Sequence, residues 1–172
     1  MVPRLRRPYM GVFLYGGDKM RGFEKISFEQ FKKDIADDIK LYEEYLLPSR
    51  ETKCAAGYDF HAIYDYTLKP GEIKKIPTGI KSYMEDSDVL LIIDRSSMGF
   101  KYNVRLCNQV GVIDADYYNN KDNEGHMWIR IQNEGDKDYV VKKGEGICQG
   151  IFVKYLTTDN EIENFNERNS DY

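Results

Sequence analysis

The chain has 172 residues and a formal net charge of −4 at pH 7, with 41% hydrophobic and 31% charged residues. This length suits one domain with a substantial core. The acidic balance excludes a surface that broadly attracts nucleic acid or anionic membranes, and no apolar run approaches the roughly 18 residues of a membrane span. Three widely spaced cysteines without a CxxC pair favour a reducing compartment, so we expect a cytoplasmic protein.

The first two segments are a basic N-terminal stretch and an amphipathic helix. Residues 1–26 lack the sustained apolar core and the cleavage site of a signal peptide, so we interpret them as an extension that could be disordered. Over residues 27–46, apolar side chains recur at spacings of three and four, which predicts one continuous helix with an apolar stripe. Ser27 and Gln30 form a capping-box pattern at its start, and Pro48 ends it.

The remainder of the chain has the sequence pattern of an all-β domain. Over residues 47–156, β-branched and aromatic runs alternate with turn-forming stretches such as LKPGE, NNKDNEG and NEGDK, and no helical period intervenes. Many short strands at this spacing predict a barrel or a jelly roll. Residues 157–172 are polar with little periodicity, and we expect a mobile tail.

Four stretches of the β region stand out, each at the end of a predicted strand. In chain order they are AAGYDFHA (55–62, followed by PTGI at 77–80), DRSSMGFKYNVRL (94–106), NQVGVIDADYYNN (108–120) and GEGICQGIF (144–152). We refer to them as the first to fourth motifs. Together they resemble the motifs of the trimeric dUTPase family, and the resemblance leaves the helix at 27–46 outside the minimal core of that family.

The resemblance implies a fold, a reaction and an assembly. The fold is a distorted jelly roll, assembled as a homotrimer whose active sites are shared between subunits. The reaction is hydrolysis of dUTP to dUMP and pyrophosphate, which limits uracil in DNA and supplies dUMP. Attack of water on the α-phosphorus requires a base, a divalent cation and donors for the phosphate oxygens. The implied cofactor is Mg²⁺, held by the substrate phosphates and water without a direct side-chain ligand.

Within the third motif, the resemblance assigns Asp114 as the base that activates the water. A carboxylate within hydrogen-bond reach of a water is a competent general base, worth about 10²–10⁴-fold in rate. A solvated turn role and a site role are equally open for Asp116. Tyr117 matches the aromatic residue that packs on the deoxyribose and leaves no room for a 2′-hydroxyl.

The same motif is expected to recognise uracil. Asn108 matches the residue that pairs with the base, and its amide can complement the N3–H and O4 edge of uracil. We expect backbone groups of Gly111, Val112 and Ile113 to supply the rest of the recognition.

The other motifs are expected to bind the phosphates. From the second motif we expect contacts by Arg95, Ser96, Ser97, Met98 and Gly99, since guanidinium, hydroxyl and backbone N–H groups suit phosphate oxygens. Gln149 of the fourth motif matches a further neutral donor. Asp59 of the first motif matches the family's aspartate, whose role is less defined.

The sequence departs from the family pattern at two places. The fourth motif has Gly146 where arginine is common and Cys148 where alanine is common. Family members also carry a Gly-rich C-terminal arm with an arginine and an aromatic residue that stacks on uracil. Arg168 and Tyr172 are the candidates for these two positions, without the Gly-rich segment.

Two alternative functions are compatible with a fold of this kind. A dCTP deaminase shares the fold, but its signature glutamate corresponds to Arg130 here and its signature arginine corresponds to Phe100. A non-catalytic nucleotide-binding or regulatory protein of the same fold stays open because the arm and the fourth motif differ.

Overall fold

Short antiparallel strands form the body of the protein. A computed structural model describes residues 20–161. Within this range the strands are β1 (Gly22–Lys25), β2 (Tyr58–His61), β3 (Tyr66–Leu68), β4 (Ile73–Pro77), β5 (Ile80–Tyr83), β6 (Asp88–Ile93), β7 (Val104–Leu106), β8 (Gly111–Asp114), β9 (Trp128–Asn133), β10 (Tyr139–Val141) and β11 (Gly146–Lys154). The helices are α1 (Phe28–Asp34), α2 (Ile39–Glu44) and α3 (Ser96–Tyr102), with a 3-10 turn at Ala115–Tyr117.

The strands pair into four antiparallel sheets. Their orders are β2-β11-β6-β8, β4-β9-β7, β1-β5 and β10-β3. Side chains of β6 alternate between buried and half-buried positions, as expected of a strand with one face on the core. Leu90 is fully buried, and Ile131 of β9 meets the same core from the second sheet. The predicted all-β, jelly-roll-like class is confirmed.

The prediction of one continuous helix over 27–46 is wrong, because two short helices occupy this segment. Ser27 does cap the first of them, since its hydroxyl accepts a hydrogen bond from the Gln30 N–H at 3.1 Å. The helix ends at Ile35, whose backbone leaves the helical region. Asp38 then starts α2 by accepting from the Leu41 N–H at 3.0 Å. An Asp side chain that bonds a nearby backbone N–H favours a new helix start over continuation.

The expectation that the extension at residues 1–26 could be disordered does not hold for its last part. Gly22–Lys25 form β1 and pair with β5. Phe23 inserts into an aromatic cluster, with ring centroids 5.4 Å from Phe60 and 5.3 Å from Phe152. Packing of this ring stabilises an ordered strand that the local sequence pattern does not predict. Residues 1–19 lie outside the described part of the chain.

A helix that the sequence did not predict follows β6. Helix α3 carries the second motif, begins directly after Arg95 and ends at Asn103 in the left-handed conformation, with φ of 53°. Asparagine tolerates this conformation better than most residues, so it suits a helix end. Among the described residues, no helix is long and apolar enough to cross a membrane.

Candidate active site

The first, second and fourth motifs converge on one cluster of polar side chains. The Nε and Nη2 atoms of Arg95 donate to Oδ1 and Oδ2 of Asp59 at 3.2 and 3.1 Å. The side-chain amide of Gln149 donates to Oδ1 of the same carboxylate at 3.0 Å. We call these three residues the phosphate cluster. One carboxylate therefore orients two candidate phosphate donors.

Strand pairing explains why the cluster forms. Gln149 lies in the long strand β11, opposite Asp59 of β2 on one side and Ile93 of β6 on the other. Arg95 follows β6 by two residues. The register of β11 shifts between Gly146 and Cys148, as at a β-bulge, which re-aims the residues that follow.

Gly146 makes room for the guanidinium of Arg95. A Cβ atom at Gly146 would lie 2.7 Å from Cζ of Arg95, closer than real contacts allow. The Nη1 atom of Arg95 also donates to the Gly146 carbonyl at 3.3 Å. Glycine at position 146, where the family commonly has arginine, therefore leaves the space in which Arg95 lies against β11.

The remaining residues of the second motif divide by exposure. Ser96 is exposed and Ser97 half-buried at the start of α3, and Gly99 is open to solvent on the same helix. Met98 is only 1% exposed, and its N–H donates to the Arg95 carbonyl at 2.9 Å. Both the side chain and the N–H of Met98 are therefore engaged internally, and a substrate contact by this residue stays a prediction.

A cavity of about 420 Å³ opens beside the third motif. Asn108, Gly111 and Ile113 line it, whereas Val112 lies on the opposite side of β8 and is 53% exposed. This alternation follows from strand geometry, so only the backbone of Val112 can serve the cavity. Three of the four residues predicted to recognise the base thus share one wall.

A second wall of the cavity is cationic, and its residues were not predicted as site residues. Lys75 and Arg130 are opposite each other on β4 and β9, and both line the cavity with Trp128. The Lys75 ammonium lies 4.4 Å from the centroid of the Trp128 ring. The alternation in WIRIQN places Trp128 and Arg130 on one face of the strand, and this pattern could have predicted that the two side chains line the same cavity. Sequence pattern could not show which strand lies opposite.

Asp114 ends β8 and begins the 3-10 turn, where it is half-buried. Asp116 lies within the turn and is exposed. In the ladder of β6, Asp114 is opposite Val89, whereas Gln149 is opposite Ile93. Four residues of strand separate these positions by about 13 Å, at about 3.3 Å per residue. One protomer therefore does not bring its own Asp114 and phosphate cluster together.

Tyr117 is more deeply buried than expected for a residue that contacts a sugar. It is 3% exposed, and its hydroxyl donates to the His126 carbonyl at 3.2 Å. It belongs to the hydrophobic core, so at most one edge of the ring is accessible within a protomer.

Burial also changes the acidity of two groups near the phosphate cluster. Burial raises the pKa of Asp94, although its carboxylate accepts a hydrogen bond from the Leu106 N–H at 2.8 Å. Complete burial likewise raises the pKa of the Cys148 thiol. A thiol that stays protonated is a poor nucleophile and a poor metal ligand, so Cys148 is a packing residue.

The donor set of the site fits a phosphorylated ligand. Guanidinium, hydroxyl and carboxamide N–H groups donate hydrogen bonds to phosphate oxygens, and the guanidinium has no lone pair to offer a divalent cation. Over residues 20–161, no three His, Cys, Asp or Glu side chains group as metal ligands would. Arg168 and Tyr172 lie outside the described residues.

Fold and site together define an antiparallel β protein with a hydrogen-bonded cluster of Asp59, Arg95 and Gln149 and a separate cavity beside the third motif. The family model for dUTPase matches residues 43–171. The chain belongs to the dUTPase family.

Individual relatives support this membership. A deoxyuridine 5'-triphosphate nucleotidohydrolase of Lactococcus lactis subsp. lactis (strain IL1403) is 49% identical over 143 residues, which cover 83% of this chain and 88% of that protein. The protein of the same name from Haemophilus influenzae (strain PittEE) is 33% identical over 134 residues, covering 76% and 85% of the two chains.

Solved structures agree on the fold. A crystal structure of dUTPase from Streptococcus mutans matches with a TM-score of 0.65 and 39% identity, covering 81% of this chain and 99% of that chain. A mutant dUTPase from phage phi11 of S. aureus matches with a TM-score of 0.61 over 85% of this chain and 98% of that one. At 20% identity it supports the fold alone, and its structure is described with a structural Mg(II) ion.

Proposed function

We propose that this protein hydrolyses dUTP to dUMP and pyrophosphate. The observation that carries the proposal is the convergence of Asp59, Arg95 and Gln149, from three separate motifs, into one hydrogen-bonded cluster. This cluster holds a guanidinium and a carboxamide close together, which is a geometry suited to phosphate binding.

The phosphates are bound by groups that the fold orients in advance. Of the five N–H groups of Arg95, two bond Asp59 and one bonds Gly146, which leaves two for a ligand. Ser96 and Ser97 add hydroxyl donors at the start of α3. Donors fixed before substrate arrives stabilise developing phosphate charge without reorganisation.

Asp114 takes a proton from the attacking water. The water oxygen forms a bond to the α-phosphorus, the bond from that phosphorus to the bridging oxygen breaks, and pyrophosphate leaves with the electron pair. A Mg²⁺ ion held by the substrate phosphates would neutralise part of their negative charge. The residues of this chain hold the phosphates and accept the proton.

The cavity beside the third motif selects the base and the sugar. Asn108 pairs with the uracil edge, and the small Gly111 allows the base to approach the backbone. The ring of Tyr117 packs on the deoxyribose and excludes a 2′-hydroxyl.

A homotrimer completes the site. Since Asp114 and Gln149 are offset by about 13 Å along β6 and lie on opposite sides of it, a neighbouring copy contributes the phosphate cluster to the cavity beside each third motif. The protein acts in the cytoplasm, where its three free cysteines stay reduced. There it limits uracil in DNA and supplies dUMP.

The test is release of pyrophosphate from dUTP in the presence of Mg²⁺. Asp114→Asn is expected to lower turnover by at least about 10²-fold. Binding of a non-hydrolysable dUTP analogue should be largely retained, because the base acts after binding. Asp116→Asn is the matched comparison. Near-normal turnover in this variant would show that the exposed Asp116 carboxylate serves the turn and not catalysis.

Two results would contradict this function. Near-normal turnover in Asp114→Asn would remove Asp114 as the base. Tight dUTP binding by the wild-type trimer without any pyrophosphate would instead indicate a nucleotide-binding protein.

A further inference from the structure

The N-terminal segment of residues 20–42 lies outside the family match at 43–171, yet it contacts the loop that follows Asp114. We call residues 115–126 the post-base loop. The Tyr118 hydroxyl donates to Glu24 at 2.6 Å, and Glu124 accepts from the N–H of Ser27 at 2.9 Å. These contacts join positions more than 90 residues apart, so local sequence does not create them.

The most deeply buried of these contacts joins Asp34 to His126. Oδ2 of Asp34 lies 2.6 Å from Nδ1 of His126, and the imidazole is fully buried. Nε2 of the same ring lies 2.9 Å from the N–H of Gly79, a group that can only donate. The network therefore assigns the proton to Nδ1, which donates to Asp34, and leaves Nε2 as an acceptor.

His126 in turn holds Tyr117 through its backbone. Its carbonyl accepts from the Tyr117 hydroxyl at 3.2 Å and from the Asn123 amide at 3.3 Å. The same amide donates to the Tyr117 hydroxyl at 2.8 Å. The end of the tyrosine ring is therefore fixed by the position of the His126 backbone.

The post-base loop needs this anchor because its backbone is unusual. Glu124 and Gly125 have positive φ values of 60° and 82°. A Cβ atom at Gly125 would lie 2.6 Å from the Tyr117 carbonyl, so the two arms of the loop are in close contact. A non-glycine residue at positive φ persists only where its surroundings enforce it.

We propose that Asp34 is a positioning residue for Tyr117 and thereby helps this protein to discriminate deoxyribose from ribose. The inference rests on the proposed function, in which the Tyr117 ring meets the sugar. Because only 3% of Tyr117 is exposed, the groups packed around the ring set the position of the small part that can meet a ligand. Asp34 sets that position through the imidazole and the backbone carbonyl of His126.

The experiment compares kcat/KM for dUTP and for UTP in wild type, Asp34→Ala and Asp34→Asn. Asp34→Ala removes the acceptor for Nδ1, and the dUTP preference is expected to fall by at least about tenfold. Asp34→Asn keeps an oxygen acceptor and should restore most of the preference. The ratio does not depend on the fraction of folded enzyme, so loss of stability alone does not change it.

Asp37→Ala is the matched control, because Asp37 is an exposed acidic residue just beyond the same helix. Its dUTP preference should equal that of wild type. If Asp34→Ala does not fold, as judged by circular dichroism, Tyr117→Phe replaces it. That variant keeps the ring, loses its bond to the His126 carbonyl, and should show the same loss of preference.

The failure of this inference differs from the failure of the proposed function. Turnover of dUTP with unchanged preference in Asp34→Ala, or in Tyr117→Phe, overturns the positioning role alone. If the wild type shows no turnover, the proposed function fails, and calorimetric affinities for dUMP and UMP decide the inference. Equal ratios of these affinities in wild type and variant would then overturn it.

Discussion

Arg95 is held in place by Asp59 through two parallel hydrogen bonds, from Nε at 3.2 Å and from Nη2 at 3.1 Å. The Asp59 side chain is 7% exposed and that of Arg95 is 30% exposed, so the pair lies at the border between core and solvent. A bidentate pair fixes the plane of the guanidinium as well as its position. The orientation of Arg95, the cationic phosphate donor that we propose, therefore depends on a carboxylate that would itself repel phosphate.

Replacing Asp59 by alanine is expected to impair both stability and phosphate binding. The change leaves Arg95 and the Gln149 amide without their shared acceptor, which should lower the free energy of unfolding by about 1–3 kcal/mol. The apparent affinity for a non-hydrolysable dUTP analogue should fall at least about tenfold, because Arg95 no longer has one orientation. Urea unfolding and calorimetry measure the two effects.

Asp65→Asn provides the control for this experiment. Asp65 pairs with Lys142 at 2.9 Å, but both side chains are more than half exposed, so solvent screens the pair and the change should have little effect on stability. Equal losses in Asp59→Ala and Asp65→Asn would contradict a special role for the Arg95–Asp59 pair.

Gly146→Ala tests the space that Arg95 occupies. The added methyl group would meet Cζ of Arg95 at 2.7 Å, so the guanidinium must leave its place against β11. We expect kcat/KM for dUTP to fall at least about tenfold, with a smaller change in kcat than in KM if the main loss is in substrate binding. An unchanged kcat/KM would show that Arg95 binds phosphate from a different position.

Cys107 offers a probe of the base cavity, because it lines the cavity next to Asn108. Alkylation should be fast at the exposed Cys54, slower at the half-buried Cys107 and slowest at the buried Cys148. Adding dUMP should protect Cys107 while leaving the rate at Cys54 unchanged. Peptide mass spectrometry measures each site, and equal rates at Cys107 with and without dUMP would place the base elsewhere.

His126 is expected to make stability depend on pH below its ordinary pKa of 6.5. Burial lowers the pKa of this imidazole in the folded state, and the nearby Asp34 offsets only part of that effect. The unfolded chain therefore binds the proton first, so stability is retained above pH 6.5 and is lost as pH falls below it. The slope can reach about 1.4 kcal/mol per pH unit.

His126→Gln isolates this contribution in unfolding experiments at pH 7.5 and 5.5. The pKa values of Glu124 and Asp88 are lowered from 4.5 and 3.8, so their contributions are lost only at lower pH. We expect a smaller loss of stability between the two pH values in the variant than in wild type. Equal losses would mean that another group titrates in this range.

Local pattern was sufficient wherever short-range physics decides the structure. Alternating β-branched residues in DVLLII and WIRIQN predicted strands, and Ser27 predicted a helix start, because both features depend on neighbours within a few positions. The same local motifs brought Asp59, Arg95 and Gln149 into consideration as site residues.

Pattern failed at two places for different reasons. The chain over 27–46 breaks because Asp38 caps a second helix, a local signal that the apolar periodicity of the segment masked. Gly22–Lys25 become a strand because the distant β5 offers an edge to pair with, and no short window of sequence contains that partner.

The sequence by itself therefore determined the family, the all-β class and most of the candidate phosphate donors, since these depend on residue types in order along the chain. Only the tertiary structure decided that Gly146 makes room for Arg95, that Lys75 and Trp128 line the cavity beside the third motif, and that Asp34 reaches Tyr117 through His126. Each of these relationships joins strands or loops distant in sequence, and packing of the whole core sets their distances.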